Sequence, residues 1–281
     1  MMTPGTPKAE VRTPERIDLF DNTYSHFDER VLRVIRKETF GVDIGQNSWL
    51  TVDEYERFLP WLGLTAEQHL LEVASGSGGP ALYVATTVGC RVTGVDANDE
   101  GVTAASELAI RSNQTDRVRF RAADANARLP FADDTFDALL CIDSMNHFPD
   151  RLAVFREWRR LLRVGHRALF TDPVVVTGPV TNDELATRSS IGLFLFVPPG
   201  TNERLIEEAG LRLVQQEDVT ANAALVAGRW HDARSRHKDE LLQVEGEERF
   251  EGLQHFFAAV HQLCSERRLS RIVYLVEKPA G

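Results

Sequence analysis

The sequence predicts an α/β fold: a Rossmann-like, largely parallel sheet of seven strands with helical segments built on as a cap. Three observations carry this. Seven short apolar runs are spaced between Leu70 and Pro279; helix-period segments separate the runs; and the first run ends in a glycine-rich loop, "LLEVASGSGGP", that leads into a further helix.

The elements follow in order. Strands are expected at Leu70–Ala74, Arg91–Asp96, Val118–Ala122, Phe136–Asp143 and Arg167–Thr171. Before the fifth, "DRLAVFREWRRLLRVG" repeats Leu152, Phe155, Trp158 and Leu162 every three or four residues, with Gly165 as the stop. A helix from Asn202 to Ala209, ended by Gly210, leads to a sixth strand at Arg212–Gln216, and "RIVYLVEKP" supplies the seventh. Three segments fall outside the alternation. Residues 14–60 read as helical with Phe20, Tyr24, Phe27, Val31 and Val34 on one face, 174–200 as an irregular apolar connection, and 219–268 as a pair of long helices. In a doubly wound sheet all three emerge near the carboxyl ends of the strands, where such folds bind ligands. A single domain over 1–281 is therefore expected. Its core is 65–175, its N-terminal helical cap 14–60, and its substrate-side cap insertions 176–200 and 219–268.

Bulk properties narrow the partners. With 43% hydrophobic and 26% charged residues the chain can bury a core, and its formal net charge of -10 repels a phosphate backbone, so nucleic acid is not an expected partner. Cys90, Cys141 and Cys264 lie far apart with no CxxC pair, which suggests neither a disulfide framework nor a thiolate metal site and fits a reducing, cytoplasmic setting. The apolar stretch Ser189–Asn202 is shorter than the roughly 20 residues of a membrane span, and the polar, proline-punctuated first residues do not read as a signal peptide. Trp230, His231 and His237 lie on a charged helix without the spacing of a metal site.

A strand, a glycine loop and a helix bring backbone N–H groups close to a ligand. Here Gly79 is followed by Pro80, Ala81 and Leu82 rather than the Lys-Ser or Lys-Thr of a P-loop, and glycines at 76, 78 and 79 do not give the G-x-G-x-x-G spacing of a dinucleotide fingerprint. Carboxylates sharpen the choice. Asp96, followed by Ala97, stands at the tip of strand two, where an acid can accept hydrogen bonds from both hydroxyls of a ribose. Asp124 stands at the tip of strand three, within reach of an adenine amino group. With Glu72 in strand one they line one sheet edge, which repels a diphosphate and suits a cationic nucleoside with an amino acid tail.

This constellation resembles the class I S-adenosylmethionine-dependent methyltransferases, with the first glycine of their acid-x-Gly-x-Gly-x-Gly motif replaced by Ala74. The resemblance is specific over Leu70–Thr171 and includes "LPFADDTFDALLCIDSMNHFPD"; within the superfamily it is similar to the small-molecule branch holding phosphoethanolamine and sarcosine or dimethylglycine methyltransferases. It implies a seven-stranded sheet with strand seven antiparallel, and S-adenosylmethionine as cofactor. Gly76 and Gly78 then pass under the methionine portion, Asp96 holds the ribose, Asp124 and the backbone of Ala125 hold the adenine, and Ser144 lies near the methionine carboxyl end. His147, in the context Asp143-Ser-Met-Asn-His147, is the implied general base, and Tyr24 is its candidate N-terminal partner. Both also fit plain structural roles, His147 in a turn and Tyr24 in a packed helical stripe. Likewise Gly45–Leu64 reads as a structural helix whose Trp49 and Trp61 pack below the cap.

The sequence departs from the phosphobase pattern after strand five. Pro173 and Ser190 or Ile191 stand where phosphate-gripping tyrosines are expected, and Arg188 alone could serve a phosphate, which argues against phosphoethanolamine as substrate. "IGLFLFVPPG" suggests instead a partly apolar pocket. The expected function is methyl transfer to a small, partly apolar metabolite at nitrogen, oxygen or carbon, by an enzyme for which a homodimer is one candidate assembly. The rivals are an NAD-dependent Rossmann oxidoreductase and a non-catalytic adenosylmethionine-binding protein.

Overall fold

The computed structural model describes residues 26–280. Seven strands form one sheet: β1 (His69–Val73), β2 (Arg91–Asp96), β3 (Val118–Ala122), β4 (Phe136–Cys141), β5 (Leu162–Val176), β6 (Arg212–Asp218) and β7 (Leu269–Glu277). Their spatial order is β3-β2-β1-β4-β5-β7-β6. The pairs among β1 to β5 are parallel, and β7 runs antiparallel to both β5 and β6.

Helices α1 (Arg30–Phe40) and α2 (Val52–Leu62) precede the sheet. Next come α3 (Gly79–Val88), α4 (Asp99–Arg111), α5 (Arg151–Leu161), α6 (Asn182–Arg188) and α7 (Thr201–Glu208). The set is completed by α8 (Thr220–Arg236), α9 (Lys238–Glu245) and α10 (Glu247–Ser265).

The central strands read as near-continuous apolar runs because both faces of the sheet are covered. Alternate residues go to opposite sides. Leu71, Val73, Leu139 and Cys141 join Phe155 and Trp158 of α5 in one core, while Leu70, Ala138 and Leu140 meet Tyr55 and Phe58 of α2 in the other. Each such Leu or Phe side chain contributes about 1.5–3 kcal/mol by leaving water. A third core lies off the sheet, where Ile35 of α1, Ala223 and Ala227 of α8, and Leu253 and Phe257 of α10 pack together under the cap. No described helix is long and apolar enough to cross a membrane.

Several boundaries differ from the sequence expectation. Ala74 lies beyond β1 and Asp143 beyond β4, because both take positive φ (58° and 52°) that a strand cannot hold. Gly165 does not stop α5: the helix passes directly into β5 at Leu162, and the Gly165 amide donates to the Lys278 carbonyl at 2.8 Å as part of the sheet edge. The connection after β5 is not wholly irregular, since Thr181 and Glu184 form a reciprocal capping box that starts α6. Residues 219–268 hold three helices, broken at His237 and Gly246. The stretch Gly45–Leu64, predicted as one structural helix, is an open loop up to Thr51, whose hydroxyl then caps α2 by accepting from the Glu54 amide. On α1, Val31, Ile35 and Phe40 are buried and Val34 only partly so, while Phe20 and Tyr24 lie outside the described residues.

Candidate active site

The sheet order reverses between β1 and β4, so the chain leaves these neighbours in opposite directions and opens a crevice at their carboxyl ends. A cavity of about 490 Å³ occupies it. Its floor is the loop after β1, where Ala74, Gly76 and Gly78 all take positive φ (58°, 51° and 78°). Ala74 therefore sits in the left-handed region that glycine occupies without penalty, at a cost of about 1–2 kcal/mol for an L-residue.

The glycines of this loop have different jobs. Gly76 lines the cavity and donates its amide to Asp96 Oδ2 at 2.8 Å. Gly78 does not line it. A Cβ there would come within 2.5 Å of the Phe120 ring and 2.7 Å of Ala105, so this glycine lets α3 start against β3 and α4. Gly79 receives the N-terminal loop: a Cβ would strike the Ile44 carbonyl, and the neighbouring Ser77 hydroxyl donates to the Gly45 carbonyl at 3.0 Å.

The three predicted carboxylates face the same cavity. Asp96 Oδ1 accepts the Asn98 amide at 2.9 Å and Oδ2 accepts Gly76, so each oxygen keeps a lone pair for a ligand. Burial holds this acid above its ordinary value, against the lowering effect of those amides. Glu72 is 4% exposed, its Oε2 has no partner, and burial with the nearby Asp96 charge raises it to about 8. Asp124 is exposed and its Oδ1 accepts both the backbone and side-chain amides of Asn126, at 2.9 and 2.8 Å.

Beyond β4 the chain turns through Asp143 and Ser144 into a short 3₁₀ turn, Met145–His147. Ser144 donates its hydroxyl to the Ile142 carbonyl at 3.0 Å. His147 Nδ1 lies 2.7 Å from the Leu193 carbonyl, which assigns the proton to Nδ1 and the lone pair to Nε2, 3.2 Å from Asn146 Nδ2. Burial pushes this imidazole down to about 4, and the Arg188 charge adds to the effect.

Below the cavity a buried ion network ties its walls together. Arg271, on β7 and wholly buried, donates to Asp143 Oδ1 at 2.7 Å and to Glu54 Oε2 at 2.6 Å. Asp143 Oδ2 accepts the Trp49 amide at 2.9 Å, and Asn222 of α8 donates to both Glu54 Oε2 and the Trp49 carbonyl. The far wall is aromatic. Trp49, Phe194, Trp230, Phe256 and Phe257 line it, with Trp230 and Phe257 stacked at 5.3 Å.

Of the predicted residues, the fold brings Glu72, Gly76, Asp96, Ala97, Asp124, Ala125, Ser144 and His147 to one cavity. Ile191 and Phe194, from the stretch expected to line a partly apolar pocket, join it, whereas sequence reasoning missed Asn47, Ser48, Asn98 and the wall formed by Trp49, Trp230, Phe256 and Phe257. For the N-terminal loop the signal was Gly45 and Asn47 ahead of Trp49, residues that suit an open turn better than a helix.

Residues 71–170 match a protein family described as methyltransferase domain. Over 177 residues the chain is 36% identical to methyltransferase GfsG of Streptomyces halstedii, covering 61% of each protein. Over 168 residues it is 33% identical to the 27-O-demethylrifamycin SV methyltransferase of Amycolatopsis mediterranei, covering 59% of this chain and 61% of that one. These matches thus span less than two thirds of either relative. A phosphoethanolamine N-methyltransferase 2 structure from Haemonchus contortus superposes with a TM-score of 0.78 at 19% identity, covering 94% of this chain and 61% of that one, a likeness of fold. The match to the methyltransferase domain family thus falls on residues 71–170, the part of the chain that carries most of β1, all of β2 to β4 and most of β5 of a seven-stranded sheet with its last strand antiparallel.

Proposed function

We propose that this chain transfers a methyl group from S-adenosylmethionine to a small, partly apolar acceptor. The observation that carries the reading is the set of carboxylates on one cavity: the buried Glu72, whose Oε2 has no hydrogen-bond partner among the described residues, with Asp96 and Asp124. A buried acid left without a partner is costly, and a cationic ligand removes that cost. The same acids disfavour the pyrophosphate of a nicotinamide dinucleotide.

When bound, the cofactor supplies a methyl group on a sulfonium, already an activated electrophile. In this reading Asp96 accepts the ribose hydroxyls, Asp124 and Ala125 border the adenine, Gly76 underlies the methionine portion and Ser144 its carboxyl end. Positioning and exclusion of water are then the main tasks left to the protein. His147 is neutral throughout the physiological range, so its Nε2, which faces the Asn146 side-chain amide at 3.2 Å, can take a proton from the acceptor without prior ionisation by exchanging that contact, though as a weak base. Oxygen is the accepting atom we favour, after the O-methylation named for the 33% identical relative.

The test is label transfer from methyl-labelled S-adenosylmethionine against a panel of hydroxylated and amine metabolites, alongside calorimetric titration of S-adenosylhomocysteine. Saturable binding with turnover of a panel member is expected. Binding without turnover across a broad panel would favour a non-catalytic binder, and absence of binding would overturn the reading.

A further inference from the structure

Among the described residues, the acceptor side of the cavity contains a cation with no counter-ion. Arg188, the last residue of α6, is 1% exposed and lines the cavity, yet no carboxylate lies within 4 Å of its guanidinium among the described residues. Its Nη1 has no hydrogen-bond partner. Its nearest company is aromatic: the guanidinium carbon stands 4.5 Å from the Phe194 ring centre, 5.0 Å from Phe256 and 5.8 Å from Trp49. Ring faces hold a cation in place but do not replace lost water or satisfy N–H donors. Buried arginines of this fold do find carboxylates: Arg151 pairs with Asp172 and Arg271 with Asp143 and Glu54. Among the described residues Arg188 is the exception, and its unpartnered Nη1 belongs to a residue of the cavity wall.

From this geometry we infer that the acceptor carries an acidic group, a carboxylate or phosphate on an apolar body, which pairs with Arg188 while the aromatic wall covers the rest. The inference rests on the methyl-transfer reading of the same cavity and adds the charge of its substrate. Guanidinium donors match the oxygens of either acid in a two-point contact, and the apolar surroundings strengthen such a pair. The two ends of the cavity are then complementary in sign, carboxylates for a cationic cofactor and one guanidinium for an anionic acceptor.

The test uses benzoate, phenyl phosphate and neutral benzamide as probes, titrated into the full chain with and without S-adenosylhomocysteine and followed by tryptophan fluorescence and thermal shift. At least one acid should bind ten times or more tightly than benzamide and raise the melting temperature. Comparing the two acids identifies the group. Arg188→Met should lose that preference and the ligand-induced shift while keeping affinity for S-adenosylhomocysteine, and it should melt no lower than the parent without probes, since it removes a buried unpaired charge. Arg188→Lys should retain part of the preference. Equal binding of acids and benzamide, binding of none of them, or undiminished acid affinity in Arg188→Met would overturn the inference. Failure of S-adenosylhomocysteine alone to bind would strike the cofactor reading and leave the acid test legible.

Discussion

The two halves of the cavity are built on different principles. One half is made by strand ends: Glu72 and Asp96 stand on β1 and β2, Gly76 and Asp124 follow β1 and β3, and the backbone amides of Gly76, Asn98 and Asn126 fix the two aspartates. The other half is assembled from segments far apart in the chain. Trp49 comes from the N-terminal loop, Arg188 from α6, Phe194 from the following connection, and Trp230 and Phe256 from α8 and α10. Local hydrogen bonds suffice for the first half, whereas the second depends on packing between elements more than 200 residues apart. A fold can keep the first half constant and vary the second, so binding of the shared ligand and choice of acceptor should respond to different mutations.

The largest expected effect lies in the strand-end half. Asp96→Ala removes the acceptor proposed for two ribose hydroxyls, each worth roughly 1.5–3 kcal/mol, and should weaken S-adenosylhomocysteine binding by about 10²–10⁴-fold in calorimetry. Unchanged affinity would move the ribose elsewhere. Glu72→Gln should separate stability from binding. Folding raises this acid from 4.5 to about 8, so the folded state holds its proton and stability is lost as pH rises through that window. The amide cannot ionise, so the variant should gain on the order of 2–4 kcal/mol at pH 8 and little at pH 4.5, read from urea unfolding at both pH values. It should also bind S-adenosylhomocysteine more weakly; a variant no more stable at pH 8 would show that the acid finds a partner in solution.

His147 stands at the junction of the halves. His147→Ala should lower turnover by about 10²-fold, the weak end for a general base, while leaving S-adenosylhomocysteine affinity within about twofold. A turnover rate within a factor of two of the parent would assign the imidazole to holding Leu193. The smallest effect is expected at the loop: Ala74→Gly relieves a positive φ but frees the unfolded chain, for a net gain of about 0.5–1 kcal/mol in unfolding free energy.

This division also explains what the sequence disclosed. Strand runs, the glycine loop and the acids at strand tips are patterns over a few residues, so the strands and the carboxylate set were legible, while the antiparallel direction of the last strand came only with the family resemblance. Gly78 was assigned to the ligand because sequence cannot distinguish a glycine that admits a cofactor from one that admits Phe120. Trp49 read as helix packing because its true neighbours, Phe256 and Phe257, lie more than 200 residues along the chain. Arg188 was singled out in the sequence as the one candidate for an acid, but its lack of a counter-ion emerges only when every surrounding element is in place.

The buried contacts among Arg271, Asp143, Glu54 and Asn222 set a rule for redesign. Grafting a different acceptor wall from a relative means replacing the N-terminal loop, α2 and α8 around a sheet that keeps Asp143 and Arg271. A chimera that exchanges α2 without supplying a carboxylate at position 54 strands half of the Arg271 charge in the interior, a fault on the scale of about 3–5 kcal/mol that no repacking of aromatic rings repairs. Wall and sheet are therefore interchangeable parts only when residues 54, 222 and 271 travel together.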